Sequence, residues 1–195
     1  TTVERLPNGS ARQRITWNDR GEKTVKRVIT VIVINQSGVL NRVTGLLMKR
    51  QFNIESITVG HTEQPNFSKM TFVVHVEDES KIEQLIKQLS KQIDVLKVND
   101  ITDKSIVIRE LALVKVISPP NIRLEMNAIV EPFRPQIIDT AKNVVTYQVV
   151  GHPEKIDAFI ELIRPYGIKE LTRTGATASV RETQKSDQPQ LSILK

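Results

Sequence analysis

The sequence contains no cysteine, and aromatic residues make up only 4% of its 195 positions. Without cysteine the chain cannot form disulfide bridges, thiolate zinc sites or a cysteine nucleophile, and a reducing compartment suits it, so we expect a cytoplasmic location. No apolar run approaches the roughly 20 residues that a membrane-spanning helix needs. Residues 1–27 also lack the apolar segment of a secretory signal peptide. The sequence therefore predicts no membrane association.

Histidine is scarce as well, and the common catalytic motifs are missing. His61, His75 and His152 have no carboxylate or second histidine at the spacing of a metal site, so we expect each to be structural. The chain has no glycine-rich phosphate loop and neither H-E-x-x-H nor G-x-S-x-G. These absences predict a protein without a catalytic site, a metal site or a cofactor of its own.

Charge is distributed unevenly along the chain. The formal net charge is +6, of which residues 1–27 carry +4 through seven basic and three acidic side chains, and the other 168 residues carry +2. A nucleic-acid-binding protein would concentrate basic side chains on a folded face, whereas this leader has no periodic apolar pattern. We therefore predict a basic, flexible leader over residues 1–27 and do not expect nucleic-acid binding.

Apolar spacing predicts a first domain at 28–103. A β-branched strand at 28–34 precedes a helix that begins at Val39, and a hairpin follows; a second helix at 82–89 and a strand at 93–101 complete the domain. The order β-α-β-β-α-β is that of a ferredoxin-like domain, in which two helices cover an antiparallel four-stranded sheet.

The second half of the chain repeats this order. Strands at 111–117 and 168–171 enclose a helix, a hairpin at 136–150 and another helix. After a shift of 74 residues the apolar positions of the two second helices coincide: Ile82, Leu85, Ile86 and Leu89 become Ile156, Phe159, Ile160 and Ile163. We therefore predict an α+β fold of two ferredoxin-like domains, 28–103 and 104–181, followed by a disordered tail at 182–195.

RNA-recognition domains share this element order and stack bases on aromatic residues of their central strands. Here the strand-like stretch at 67–76 has no glycine, and the first strand has no aromatic residue. The strand pattern therefore argues against RNA recognition.

The loop between the first strand and the first helix is the best candidate for a binding site. Backbone N–H groups at a helix N-terminus favour an anion. Gly38 permits a ligand to approach closely, and Asn35 offers both a donor and an acceptor. A free amino acid is the kind of ligand that this loop could hold, although asparagine and glycine are also ordinary turn and cap residues.

Several segments together resemble the ACT domain family and, within it, the small regulatory subunits of acetohydroxyacid synthase, also called acetolactate synthase. The similar stretches are 31–47, 50–59, 68–72, 88–98, 109–116, 133–139 and 173–175. The similarity extends from residue 26 to about residue 183 without a visible gap.

The resemblance implies an N-terminal ACT domain, a ferredoxin-like C-terminal domain and no catalysis by this chain. It implies a separate catalytic large subunit, which carries thiamine diphosphate, FAD and magnesium, and whose activity the small subunit raises. It also implies feedback inhibition by valine or a related branched-chain amino acid at the interface of an ACT homodimer. Asn35, Gly38 and Val39 of one chain and Asn53 of the facing chain match the family's effector contacts.

Two qualifications accompany this interpretation. Gln51 stands where members of the family often have glycine, which predicts an altered turn before Asn53. A free-standing ACT-domain amino-acid sensor, or a nucleic-acid-associated regulator that uses the basic leader, is the alternative function.

Overall fold

The computed structural model describes residues 2–3, 14–17, 23–76 and 79–182. The elements in chain order are β1 (Thr2–Val3), β2 (Arg14–Trp17), β3 (Lys23–Ile34), α1 (Val39–Lys49), β4 (Asn53–His61), β5 (Phe67–Val76), α2 (Glu79–Leu89), β6 (Val95–Asp100), β7 (Ile106–Ile117), α3 (Pro120–Val130), β8 (Gln136–Ala141), β9 (Val144–Gly151), α4 (Pro153–Ile163), β10 (Ile168–Arg173) and β11 (Thr177–Val180).

The N-terminal domain is an antiparallel sheet in the order β4-β5-β3-β6, with α1 and α2 packed on one face. β3 is rich in β-branched residues, which suit a pleated surface, and Ile29, Val31 and Val33 from its helix-covered face are buried. The two helices contribute apolar residues at helical spacing to the same core: Val39, Val43 and Leu47 from α1, and Ile82, Leu85 and Leu89 from α2.

The C-terminal domain has the same strand order, β8-β9-β7-β10, and again every neighbouring pair is antiparallel. Its core combines alternate residues of β7 and β9 with the apolar faces of α3 and α4, and Tyr147 and Phe159 lie edge to face at its centre. The predicted α+β fold of two ferredoxin-like domains is confirmed.

The start of the N-terminal domain differs from the prediction. β3 begins at Lys23, and β2 pairs with its first residues, so 23–27 belong to the domain and not to a flexible leader. Arg27 is buried, and its Nη1 donates to Asp103 Oδ2 at 2.8 Å. The sequence did not predict the start of β3 because several of its residues are basic, and the acidic partner of Arg27 lies in a distant part of the sequence. The predicted tail lies outside the described residues from 183 onward.

The junction between the domains also contains more strand than the sequence predicted. β7 begins at Ile106 and not at Leu111, and its first residues pair with β11, which the sequence did not predict. This two-stranded ribbon covers the face of the N-terminal sheet opposite its helices. A small apolar core joins the two: Val28, Val73, Ile101, Ile108, Ala176 and Ala178.

Candidate functional site

The loop between β3 and α1 lies at one end of the N-terminal sheet. Residues 35–38 are all exposed. The N–H of Asn35 donates to the carbonyl of Asn66 at 2.8 Å, which fixes the start of the loop against the β4–β5 turn. The loop is therefore held on its backbone while its side chains remain accessible to a ligand.

Gly38 is the N-cap of α1 and has a φ of +83°, in the left-handed region that favours glycine. No side chain caps the helix, and its first turn contains no acidic residue. The N–H of Val39 makes a long 3.4 Å hydrogen bond to the carbonyl of Gln36. The helix start thus keeps the positive character that attracts a carboxylate.

The side chain of Val39 is only 2% exposed and belongs to the core. Of the predicted site residues, Val39 can therefore meet a ligand through its backbone alone. Asn35 and Gly38 remain accessible at the loop.

A positively charged side chain, that of Arg42, lies near the start of α1. Arg42 points its Nε and Nη2 at Asp94 Oδ2, at 2.8 and 2.6 Å, and Asp94 is 8% exposed. A Cβ added to Gly38 would lie 3.2 Å from Nη1 of Arg42. The Arg42–Asp94 pair therefore ties the first turns of α1 to the residue before β6 and limits the space at Gly38.

His61 lies on the other side of the loop, and the sequence interpretation missed it as a neighbour of the site. Its Nδ1 is 3.5 Å from Nδ2 of Asn35. Only the strand arrangement could have indicated this contact. β3 and β4 both pair antiparallel with β5, so they are parallel to each other and their last residues lie at the same end of the sheet. His152, by contrast, accepts a 3.4 Å hydrogen bond from the N–H of Glu154 at the start of α4.

Asn53 is not near the other predicted site residues within one chain. It begins β4, opposite His75, whereas His61 ends β4 opposite Ser68. The eight-residue separation corresponds to about 26 Å along a strand. Gln51 just before it has a φ of 58°, the left-handed conformation that a glycine would adopt without steric cost.

A charged network lies next to Asn53, whose cross-strand partner is His75. Glu55 accepts from His75 Nε2 at 2.7 Å and from Lys26 Nζ at 2.5 Å. The hydrogen bond from His75, together with Lys26, lowers the pKa of Glu55 from 4.5 to about 2. The first residues of β4 are thereby held against β3 and β5.

The described residues contain no group of three or more histidine or acidic side chains that could hold a metal ion. Within those same residues, no helix is long and apolar enough to cross a membrane. What this loop offers chemically is polar recognition through backbone N–H groups and the Asn35 amide.

Comparison with known proteins gives a consistent result. The family described as "AHAS small subunit-like ACT domain" matches residues 29–97, and "Small subunit of acetolactate synthase" matches residues 109–182. The acetolactate synthase small subunit of Bacillus subtilis is 61% identical over 161 residues, which cover 83% of this chain and 94% of that protein. The acetolactate synthase isozyme 3 small subunit of Salmonella typhimurium is 40% identical over 158 residues, or 80% of this chain and 96% of that protein.

The crystal structure of the acetolactate synthase small subunit from Thermotoga maritima superposes with a TM-score of 0.74 at 35% identity, covering 81% of this chain and 98% of that one. The fold and the matched families define a regulatory protein of the ACT-domain class. The chain belongs to the family of acetolactate synthase small subunits.

Proposed function

We propose that this chain binds an acetolactate synthase catalytic subunit, raises its activity and makes it sensitive to feedback inhibition by a branched-chain amino acid. Family membership supports the partner. In this proposal thiamine diphosphate, FAD and magnesium belong to the catalytic subunit, and the complex works in the cytoplasm. The contribution of this chain is regulation by a ligand at the β3–α1 loop.

The effector site is proposed to form between two copies of the chain. β4 is the outermost strand beyond β5, and its residues are exposed or half-buried, so one row of its backbone groups can pair with another strand. In a twofold, antiparallel pairing of β4 with itself, centred on Ile57, Asn53 of the partner subunit lies opposite His61. That end of β4 is the end at which Asn35 and Gly38 lie.

This parallel arrangement of β3 and β4 is the observation that carries the proposal. Within one chain, Asn53 and the β3–α1 loop lie at opposite ends of β4, about 26 Å apart. In the proposed dimer, Asn53 of the partner subunit lies at the loop end of β4, so both can contact one ligand. The ligand carboxylate would accept from the N–H groups at Gly38 and Val39, Asn35 would bind its polar head, and Asn53 of the partner subunit would close the site. Ligand binding and dimer formation would then be thermodynamically linked.

Binding measured by calorimetry tests this site. Titration of the purified chain with valine, leucine and isoleucine should give saturable binding of at least one of them. Asn35→Ala and Gly38→Asp should each weaken it at least tenfold, and Gly38→Asp should be the more severe because its carboxylate repels that of the ligand. Asn143→Ala, at an exposed position in the β8–β9 turn, is the matched control and should bind as the wild type does. Unchanged binding by both site variants would show that the site is elsewhere.

A further inference from the structure

Residues 173–175, one of the stretches that resemble the family, lie where the two domains meet. The proposed effector site does not include them. Nε and Nη2 of Arg173 donate to the two carboxylate oxygens of Glu110 at 2.7 and 2.8 Å, and its Nη1 donates to Asp157 at 2.8 Å. Thr174 Oγ1 accepts from the N–H of Leu111 at 3.1 Å. These bonds anchor the end of β10 to β7 and α4.

Immediately after these bonds the chain crosses β4 on the face of the sheet opposite the helices. Gly175 has a φ of +77°, and a Cβ added to it would lie 3.0 Å from Cβ of Ser56. Thr58 Oγ1 donates to the carbonyl of Ala176 at 3.0 Å, and the N–H of Ala176 makes a long 3.4 Å bond to Ser56 Oγ. A side chain larger than glycine would therefore strain the backbone here and require the Ser56 side chain to shift by a few tenths of an ångström.

The crossing chain is rigidly connected to the C-terminal sheet. After Ala176 it forms β11, which pairs with 106–109 of β7, and the same strand β7 continues as a central strand of the C-terminal sheet. On the other side Lys69 Nζ donates to the carbonyl of Ala178 at 2.8 Å. The crossing chain therefore links β4 and β5 by hydrogen bonds to a strand that is part of the second domain's core.

The contact also has room to change. A crevice of about 430 Å³ lies beside it, lined by residues of both domains that include Ile54, Glu110 and Asp157. The direct polar link between β4 and the crossing chain consists of the two Ala176 hydrogen bonds to Ser56 and Thr58. The crevice therefore leaves space beside Gly175 for a small change in this contact.

We propose that Ser56 and Thr58 of β4, together with Gly175 and Ala176, form a coupling contact that transmits changes at the edge strand β4 to the C-terminal domain. The regulatory part of this inference rests on the proposed effector site, because Ser56 and Thr58 flank Ile57, the centre of the proposed twofold pairing. A ligand that favours one arrangement of the paired β4 strands would thereby favour one orientation of the C-terminal domains. All four are positioning residues, and none of them is a proposed ligand contact.

Removal of one hydroxyl tests the coupling separately from ligand binding. Thr58→Val keeps the shape of the side chain and loses the donor to Ala176, whereas Thr58→Ser keeps the donor. With valine, leucine and isoleucine as probes, we expect Thr58→Val to bind the wild type's effector within threefold of the wild-type dissociation constant. We also expect the maximal inhibition of the reconstituted Thr58→Val complex, at saturating effector, to fall to less than half of the wild-type value. Thr58→Ser should behave as the wild type in both measurements.

A second variant changes the backbone side of the contact. Gly175→Ala should separate binding from inhibition in the same way, while Gly45→Ala, which places a methyl group in open space on α1, should not. If Thr58→Val and Gly175→Ala were inhibited as strongly as the wild type, or lost ligand binding together with inhibition, the coupling contact would be refuted.

Hydrogen exchange in increasing urea supplies a readout that needs no effector. In the wild type, core amides of β5 and β9 should become exchangeable at the same urea concentration, and in Gly175→Ala those of β5 should open first. Identical behaviour of the two proteins would overturn the coupling. If the wild type bound none of the three amino acids, the proposed function would fail, and this measurement would still decide whether the contact couples the domains.

Discussion

At the residue scale, the effector loop and the domain junction depend on groups whose conformation or charge is fixed by near neighbours. Gly38 combines a left-handed backbone with the proximity of Arg42, and Gly175 combines the same kind of backbone with the proximity of Ser56. The sequence identifies both glycines but not the atoms that a side chain there would meet, because Arg42 and Ser56 are placed by tertiary packing.

Glu55 provides a pH-dependent prediction. Its pKa is lowered from 4.5 to about 2 in the folded chain by His75 and Lys26. A carboxyl group with a depressed pKa in the folded state contributes stability above its unfolded pKa, and that contribution is lost as the pH falls from 4.5 toward 2. Glu55→Gln should therefore lower the melting temperature at pH 6, and the difference from the wild type should shrink steadily below pH 4.5. A difference that stayed constant down to pH 2 would contradict this role for Glu55.

The predictability of the site is also a residue-scale matter. Asn35 and Gly38 were predicted from a strand, a helix start and their own chemistry, and the structure places both in one exposed loop. Their neighbours His61, Arg42 and Asp94 were not predicted as such, because His61 comes from the end of β4 and the Arg42 side chain is placed by Asp94, which is remote in sequence. In the proposed dimer, Asn53 of the partner subunit joins them.

At the element scale, β4 is the strand on which the dimer proposal rests. Its nine residues form a long, exposed edge. Such edges are usually protected or paired in native proteins. The charged groups Glu55, His75 and Lys26 stabilise the strand's first residues but do not cover its free edge.

A single charge on this edge should weaken the dimer. Val59 is 47% exposed, and in the proposed twofold pairing centred on Ile57 it lies opposite Glu55 of the partner subunit, so a glutamate there would face a carboxylate of like charge. We expect Val59→Glu to raise the dimer dissociation constant at least about tenfold by sedimentation equilibrium, equivalent to about 1.4 kcal/mol. Val150→Glu, at a position that is also 47% exposed but in the other domain, is the matched control. Equal dissociation constants for the two variants would exclude pairing through β4.

Most elements could be predicted because their apolar periodicity is strong. The run at 28–34 and the helical spacing of Val39, Val43 and Leu47 each have one interpretation. β11 could not be predicted, since its four residues are too few for a pattern and its partner strand begins 71 residues earlier at Ile106. The polar start of β3 was missed for a related reason: its buried Arg27 pairs with Asp103, which is remote in sequence.

At the scale of the whole molecule, the two domains have the same strand order and are joined by the β7–β11 ribbon. Glu110 occupies the point at which β7 passes from the ribbon into the C-terminal sheet, and it is only 5% exposed. Arg173 satisfies both of its carboxylate oxygens. In return, Glu110 is the main cause of the raised pKa of Arg173.

Removal of Arg173 should destabilise this junction strongly. Arg173→Ala leaves a buried carboxylate without its partner, and we expect the free energy of unfolding to fall by about 3 kcal/mol or more. Arg164→Ala breaks an exposed ion pair with Glu161 and should leave the free energy of unfolding nearly unchanged, because water screens exposed pairs. Urea denaturation of both variants measures the difference. Similar losses in the two proteins would mean that the Glu110 pair does not stabilise the junction.

The most direct test of the central claim is reconstitution of the chain with an acetolactate synthase catalytic subunit. The account predicts that the chain raises acetolactate formation, that at least one of valine, leucine and isoleucine inhibits the complex, and that Gly38→Asp abolishes this inhibition while activation persists. A complex that formed but showed no activation and no response to any of the three amino acids would contradict it.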